Sequence, residues 1–209
     1  ILDLEPRTTA DHASAAIYGY CSGLGLEGYH WYYGPGASVG SIPTNDGETC
    51  VFASVPRDRF ASRHQEGLDA LYREALLAVS PDLAGRVARG GGPEKLRAFA
   101  GEPGFLRPAV GPGWALVGDA GYFRDPITAH GITDALRESE FLARAVLAGR
   151  DEALRAWESE RDRRATELME LTDAIASFEW DLETVKVRHL RLARAMNSLV
   201  DETRGLDRT

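Results

Sequence analysis

Long hydrophobic runs, clustered basic residues and paired cysteine motifs are all missing from this chain of 209 residues. Its apolar stretches extend over only a few residues, whereas a membrane-spanning helix needs about 20, so we expect no membrane span. The 24 Lys and Arg residues are outnumbered by 32 Asp and Glu residues, and without a basic cluster we expect no nucleic-acid partner. Cys21 and Cys50 form no redox or metal motif, which favours a reducing, cytoplasmic compartment.

Histidines and the first residue add two further expectations. The five histidines show neither His-Glu-x-x-His nor Cys/His spacing, so we predict no metal site. The chain begins with Ile1, and we therefore expect that it starts inside a longer gene product.

The hydrophobic pattern predicts short strands first and helices afterwards. Alternating aromatic and β-branched residues predict an antiparallel sheet, with strands at residues 14–20, 29–33, 37–42 and 49–55. Asn45, Asp46 and Gly47 predict a hairpin between the last two strands. Apolar residues at helical spacing predict helices at residues 58–79, 81–88, 131–148, 151–178 and 182–204. The fold class predicted in this way is α/β, and α+β in part.

Residues 36–40 match the Gly-x-Ser-x-Gly pattern of a hydrolase nucleophile elbow around Ser38. Such an elbow must follow a strand and lead directly into a helix. The segment that follows, residues 41–45, contains Pro43 and cannot begin a helix in time. We therefore interpret the pattern as a glycine-rich strand or turn.

The clearest chemical signal lies at residues 113–132. Residues 114–117 predict a short buried strand, and Asp119 follows just beyond its carboxyl end. A loop containing Pro126 then leads to a helix that begins at Gly131. Ligands bind beyond the carboxyl ends of strands in open α/β sheets, where a carboxylate can accept hydrogen bonds from ribose or ribityl hydroxyls. The free N–H groups of the following helix suit a developing negative charge. The alternative is that Asp119 caps a turn and Gly131 only begins a helix.

Residues 113–142 closely resemble the Gly-Asp motif of the p-hydroxybenzoate-hydroxylase-like flavoproteins, which are FAD-dependent aromatic hydroxylases and their relatives. The similarity spans residues 14–148 and is weaker in the strands that look like a substrate-facing sheet. It implies a partial FAD-binding Rossmann-like domain with an antiparallel substrate-binding sheet and C-terminal helices. The resemblance implies three parts. Residues 1–110 would form a substrate-binding sheet with helices, residues 111–150 the C-terminal part of the FAD-binding domain, and residues 151–209 a C-terminal helical region.

The resemblance also implies which residues bind FAD. Asp119 would bind the ribityl chain, while Gly131 and Ile132 would lie under the pyrimidine edge of the flavin, where the helix end stabilises the reduced anion. The cofactor-binding residues predicted in this way are Gly118, Asp119, Ala120, Pro126, Ala129, His130, Gly131 and Ile132. His130 could contact the flavin or a substrate, or it could simply cap the loop.

An aromatic cluster near the N-terminus predicts one wall of an apolar substrate pocket against the flavin, although the same residues would also suit an ordinary sheet core. The predicted substrate-binding residues are Tyr18, Tyr20, Trp31, Tyr33, Pro43 and Asn45. Alternation places Tyr18 and Tyr20 on one face of their strand, and Trp31 and Tyr33 on one face of theirs.

The function implied is that of an FAD-dependent oxidoreductase, specifically a monooxygenase with NAD(P)H as electron donor. It would insert oxygen into an apolar or aromatic small molecule through a flavin hydroperoxide, and no side chain is assigned as a catalytic acid or base. A flavin halogenase or an isoprenoid-type reductase on the same scaffold is an alternative, although the halogenase signature Trp-x-Trp-x-Ile-Pro is missing. A second alternative is that the chain is a non-catalytic fragment without bound cofactor.

Two features depart from the family pattern. Tyr122 stands where many members have a histidine. The family's Gly-x-Gly-x-x-Gly strand–turn–helix unit and its mid-chain Asp-Gly motif are both missing, so we expect that the first part of the flavin domain, with its cradle for adenosine and pyrophosphate, is not in this chain.

The C-terminal helices carry both an apolar stripe and many charges. One side of the first helix would suit packing on the flavin domain or a homodimer seam; its members are Leu154, Trp157, Arg161, Ala165, Leu168 and Ile175. The charged run at residues 161–164 predicts a face in contact with solvent.

Overall fold

The computed structural model describes residues 3–63, 65 and 67–205, with side chains up to residue 200. The strands in these residues are, in chain order, β1 Thr8–Thr9, β2 Ser14–Ser22, β3 His30–Gly34, β4 Ala37–Pro43, β5 Glu48–Pro56, β6 Arg97–Phe99, β7 Phe105–Leu106, β8 Val110–Gly111, β9 Trp114–Ala115 and β10 Tyr122–Phe123. The α-helices in the same residues are α1 Arg57–Arg63, α2 Leu68–Val79, α3 Pro81–Arg89, α4 Gly131–Leu147, α5 Asp151–Ala176 and α6 Leu182–Gly205. The mixed helix-and-sheet class predicted from the sequence is confirmed.

The chain forms two compact units. The sheet unit contains residues 13–102 and 176–185, and the motif unit contains residues 1–12, 103–175 and 186–209. The three-part division expected from the sequence stays a prediction, and its first two and last four residues lie outside the described part of the chain.

The sheet unit has one five-stranded antiparallel sheet in the order β3-β4-β5-β2-β6. The side chains of β2, β4 and β5 alternate, so that one face forms a core with the helices; it contains Ile17, Val39 and Val51, all fully buried, together with Leu71 and Leu76 of α2. This alternation is the period-2 pattern on which the four strand predictions depended. All four strands are found, each within one or two residues of its predicted bounds.

The single helix predicted at residues 58–79 is wrong, because the structure has α1 and α2 in its place. The break falls before Leu68, where Gly67 has φ +103°, a conformation that no helix accommodates. Residues 64 and 66 of that prediction lie outside the described residues.

The motif unit contains a small antiparallel sheet in the order β1-β7-β10, a two-stranded ribbon of β8 and β9, the helix α4, α5 as far as Ile175, and α6 from Lys186 onward. Strand β1 lies in the first twelve residues, where the sequence predicted no strand or helix. The buried strand predicted at residues 114–117 is also wrong in part. Only Trp114 and Ala115 form a strand, and residues 114–117 are half-buried, since β9 pairs with β8 and with no other described strand.

The charged run on α5 is the third correction. We predicted a face in contact with solvent, and Arg163 does have a side chain 63% exposed. The side chain of Arg161, by contrast, is only 3% exposed, because its guanidinium donates to the carbonyl oxygen of Arg107 at 2.6 Å. Arg161 therefore lies on the inner side of α5, with the buried residues Trp157 and Ala165.

No helix in the described part of the chain is long and apolar enough to cross a membrane. Among the described residues, no group of His, Cys, Asp or Glu side chains could hold a metal ion.

Candidate functional site

The Gly-Asp motif forms a tight turn against the first half of α4. Residues Gly118–Ala120 make one turn of 3₁₀ helix, and Gly118 adopts the left-handed conformation with φ +56°. A Cβ atom on Gly118 would lie 2.8 Å from the Cβ of Ala135, so only glycine allows the turn to come this close to the helix. The turn itself is solvent-facing, since Asp119 and Ala120 are both exposed.

Asp119 lies beside the N-terminus of α4. Its Oδ1 is 3.6 Å from the position that a Cβ on Gly131 would take, and apart from the adjacent residues and the helix backbone no other described atom comes within 4 Å of that position. Gly131 and Ile132 are exposed, and Ile132 is 82% exposed. The first α-helical hydrogen bond of α4 runs from the N–H of Asp134 to the carbonyl oxygen of His130 at 3.0 Å, so the N–H groups before it have no partner within the helix. A carboxylate acceptor and backbone donors therefore face solvent side by side.

The loop between β10 and α4 is held in shape by its own backbone. The Asp125 side chain accepts from the N–H of Ile127 at 2.9 Å and so caps the 3₁₀ turn Pro126–Thr128. Ala129 has φ +53°, a conformation that alanine rarely adopts. His130 Nδ1 lies 3.1 Å from the carbonyl oxygen of Thr128. The imidazole of His130 therefore contacts the backbone of its own loop, and its role in ligand binding stays a prediction.

Four side chains that were not predicted as site residues lie on the buried side of the turn and of α4, namely those of Glu138, Arg124, Asp134 and Arg137. Glu138 Oε2 accepts from the N–H of Gly118 at 2.8 Å. Arg124 and Asp134 form a buried ion pair, with Nη2 and Oδ2 separated by 2.6 Å and side chains 2% and 5% exposed. The same carboxylate also accepts from Arg137 at 3.0 Å. Glu138 and Gly118 are 20 residues apart, and Arg124 and Asp134 are 10 residues apart, so helical spacing gives no signal for these two contacts. Arg137 and Asp134, by contrast, have i,i+3 spacing on α4.

Burial controls the protonation of Glu138. The residue is 4% exposed, and loss of hydration raises the pKa of its carboxyl from 4.5 to about 7. The hydrogen bond from Gly118 and the charge of Arg161 oppose this shift, while Asp134 adds to it. Glu138 is consequently a carboxyl group that gains and loses its proton near neutral pH.

In the sheet unit, four of the six predicted substrate-binding residues lie on one face. Four residues stand opposite one another on neighbouring strands and form one row across the sheet, in the order Tyr18, Phe52, Gly40 and Trp31. Tyr20 and Tyr33 each lie two residues further along their strands, and therefore on the same face. We call this surface the aromatic face; its members are Tyr18, Tyr20, Trp31, Tyr33 and Phe52. Phe52 was missed from the sequence, and its ring lies over Gly40, where a Cβ atom would be 2.2 Å from Cζ.

The other two predicted substrate-binding residues lie elsewhere. Pro43, which pairs with Thr49, lies on the opposite face of the sheet from the aromatic face. Asn45 begins the exposed turn between β4 and β5. This turn joins two antiparallel strands, as the hairpin prediction requires.

Two glycine patterns in the sheet unit have no helix after them. Ser38 of the Gly-x-Ser-x-Gly pattern is 2% exposed within β4, as expected for a glycine-rich strand. Residues 23–28 also match Gly-x-Gly-x-x-Gly, although no strand–turn–helix unit was predicted there. They join β2 to β3, whereas a dinucleotide fingerprint needs a helix whose N-terminus binds the pyrophosphate.

No protein-family model matches this chain, and no curated protein does so either. Solved structures, however, share its fold. Klebsiella pneumoniae HpxO, crystallised with FAD and uric acid, gives a TM-score of 0.64 at 19% identity over 94% of this chain and 54% of that chain. The flavin-dependent brominase Bmp2 gives 0.65 at 17% identity, over 94% of this chain and 59% of its own.

A third neighbour is PqsL from Pseudomonas aeruginosa, to which FAD-dependent monooxygenase activity has been attributed. It gives a TM-score of 0.62 at 22% identity, over 94% of this chain and 54% of that chain. The chain thus spans little more than half the length of these three proteins. The predicted resemblance to flavoproteins is confirmed at the level of the fold.

Proposed function

We propose that this chain is part of an FAD-dependent monooxygenase and that the Gly118–Ala120 turn and the first turn of α4 hold the flavin. The observation that carries the proposal is the side-by-side exposure of the Asp119 carboxylate and the free N–H groups that begin at Gly131. A flavin needs both, since its ribityl hydroxyls donate hydrogen bonds and its pyrimidine edge accepts them. The fold shared with HpxO, PqsL and Bmp2 supports the same assignment.

Each motif residue has a role in this proposal. Asp119 accepts hydrogen bonds from the ribityl chain, and the backbone of Gly131 and Ile132 donates to the pyrimidine edge, where the positive end of α4 favours negative charge. Gly118 allows the turn to lie against the helix. The remaining predicted contacts, at the turn and in the loop before α4, are Ala120, Pro126, Ala129 and His130.

A bound flavin would supply electron transfer from a nicotinamide donor and activation of oxygen. The chain itself would orient the ring and stabilise charge on it. Substrate would be bound by the aromatic face, whose ring surfaces suit an apolar or aromatic small molecule; Pro43 and Asn45 stay predicted contacts at the edge of the sheet. PqsL has been crystallised with 2-aminobenzoylacetate, which agrees with a small-molecule substrate for this fold.

Three further elements belong to the proposal. They are NAD(P)H as the electron donor, a cytoplasmic location and a homodimer seam along the C-terminal helices. The free thiols of Cys21 and Cys50 are compatible with a reducing compartment.

Flavin binding tests the proposal directly. Titration of FAD, FMN and riboflavin with the chain should quench the fluorescence of all three, because the proposed contacts reach only the ring and ribityl chain that they share. Asp119→Asn should weaken binding roughly tenfold to a hundredfold, the usual worth of a hydrogen bond to a charged group. Asp11→Asn removes another exposed carboxylate of the same unit and should leave the affinity unchanged. Unchanged fluorescence with all three flavins would favour the non-catalytic alternative.

The fold shared with a brominase keeps a halogenase as the second candidate. With flavin bound, NAD(P)H oxidation that depends on an aromatic substrate and consumes oxygen without halide supports the monooxygenase. A halogenated product formed only with added chloride or bromide supports the halogenase.

A further inference from the structure

Glu138 connects α4 to the backbone of the Gly-Asp motif. Glu138 stands one helical turn after Asp134 on α4. Its Oε2 accepts a hydrogen bond from the N–H of Gly118 at 2.8 Å. Ala135, on the same side of α4, would meet a Cβ on Gly118 at 2.8 Å. One turn of α4 therefore contacts Gly118 in two ways, through the tight approach of Ala135 and through the directed hydrogen bond to Glu138.

The surroundings of Glu138 leave it few other interactions. Its Oε1 is buried and has no hydrogen-bond partner in the described part of the chain. Charged and titratable groups face it from three elements: Arg161 of α5, Tyr122 of β10, and Asp134 and Arg137 of α4 itself. Gly118 N–H is thus the one hydrogen-bond donor that Glu138 contacts among the described residues.

We propose that Glu138 is a positioning residue that fixes the Gly118–Ala120 turn, and with it the Asp119 carboxylate, against the N-terminus of α4. An N–H group binds a carboxylate more strongly than a neutral carboxyl group, so the turn is held most firmly when Glu138 is ionised. Since the carboxyl titrates near neutral pH, the strength of this contact changes within the ordinary working range of a protein. The positioning role itself needs no flavin; its consequence for flavin binding rests on the function proposed above.

Amide hydrogen exchange and ¹⁵N–¹H spectra of the chain without any ligand test the positioning role. In the wild-type protein, the Gly118 amide signal should titrate with a midpoint near the pKa of Glu138, about 7. Glu138→Gln keeps an oxygen acceptor, so it should abolish the titration while Gly118 stays protected from exchange. Glu138→Leu removes the acceptor, and Gly118 should exchange at least roughly tenfold faster, the loss expected for one hydrogen bond.

Two controls and two outcomes make the test decisive. Glu140→Gln changes an exposed carboxylate on the same helix, paired with Arg144, and should leave Gly118 unaffected. The amide of Val39, in the core of the sheet unit, reports whether a variant is globally destabilised. A carboxylate that accepts from the Gly118 N–H must shift its signal wherever it titrates. A wild-type Gly118 signal that does not move at any pH at which the protein stays folded therefore overturns the proposal, and this result does not depend on whether Glu138→Leu folds. Unchanged exchange of Gly118 in a folded Glu138→Leu protein overturns it as well.

Flavin titrations separate this inference from the proposed function. Weaker flavin binding by Glu138→Leu, with near wild-type binding by Glu138→Gln, supports both. Faster Gly118 exchange in a protein that binds no flavin supports the positioning role and contradicts the function. Full flavin affinity with unchanged Gly118 exchange in Glu138→Leu contradicts the positioning role and leaves the function standing.

Discussion

The Oδ1 atom of Asp119 lies 3.6 Å from the point where a Cβ on Gly131 would stand, and both residues are exposed. A side chain at position 131 would therefore extend toward the carboxylate and cover the N–H groups at the start of α4. Because glycine leaves this space open, a ligand could reach the negative carboxylate and the positive helix end at the same time. Had both groups been packed into a core, the flavin hypothesis would have been untenable.

Gly118→Ala should be one of the most damaging single-methyl changes in the chain. The new Cβ would lie 2.8 Å from Ala135, and alanine is strained at φ +56°, so we expect a loss of about 2–4 kcal/mol in the free energy of unfolding. Chemical denaturation measures this loss.

Gly113→Ala is the matched control for that change. Gly113 has φ +78°, and beyond its chain neighbours no described atom lies within 4 Å of the point that a Cβ would occupy, so it should show only the backbone strain, about 1 kcal/mol. Equal losses at positions 113 and 118 would mean that the contact with Ala135 is not tight.

The buried ion pair should respond unequally to removal of its two partners. Asp134→Ala leaves both Arg124 and Arg137 without their shared carboxylate, and should cost about 3–5 kcal/mol. Arg124→Met leaves Asp134 paired with Arg137 and removes a guanidinium whose Nε and Nη1 have no partner among the described residues, so it should cost less. The unfolding free energies of the two variants give the order.

An exposed pair on the same helix calibrates that comparison. Glu140→Ala breaks the contact with Arg144, in which both side chains are about half exposed, and should change stability by less than about 1 kcal/mol. A larger loss for Arg124→Met than for Asp134→Ala would contradict the account of the pair.

Local pattern predicted four strands of the sheet unit well, because apolar and polar residues alternate along them. Ile17, Val39 and Val51 occupy the core positions of three successive neighbours in the sheet. The pattern missed the break at Gly67 between α1 and α2, although that signal is local. It placed Arg161 both on the inner side of α5 and in a solvent-facing charged run, and the contact that decides between the two, with the carbonyl oxygen of Arg107, lies 54 residues away.

The candidate site shows the same division. The motif letters identified Asp119 and Gly131, since the chemistry depends on residue types within a short segment. Glu138 of α4 and Arg124 of the loop before it were not identified, because a charged residue indicates a solvent-exposed position unless its partner is known. In each case that partner, Gly118 or Asp134, becomes visible only when the loop folds onto α4.

The stability of the chain should carry a pH dependence due to Glu138. Its pKa in the folded state, about 7, lies above the ordinary 4.5, so the folded protein holds this proton more tightly than the unfolded chain. The contribution is therefore fully present below about pH 4.5 and is lost as the pH rises to about 7; its size is on the order of 3 kcal/mol. Unfolding free energies of wild-type protein and Glu138→Gln should consequently differ by an amount that changes between pH 4.5 and 7.

Other titrating groups cancel in that difference. Burial lowers the pKa of His189, so the free energy of unfolding falls at acidic pH, and it falls equally in both proteins. A difference between wild-type protein and Glu138→Gln that stays constant from pH 4 to pH 8 would show that Glu138 keeps an ordinary pKa.

The aromatic face depends on a glycine as much as on its rings. A Cβ on Gly40 would lie 2.2 Å from Cζ and 2.3 Å from Cε1 of Phe52, so Gly40→Ala must displace the Phe52 ring and should cost about 1–3 kcal/mol. In a Phe52→Ala background the same change meets no ring and should cost much less. The double-mutant cycle measured by chemical denaturation should therefore show a coupling of at least about 0.5 kcal/mol between the two positions. Additive losses would mean that Phe52 does not cover Gly40, and the row from Tyr18 to Trp31 would then lack its central ring.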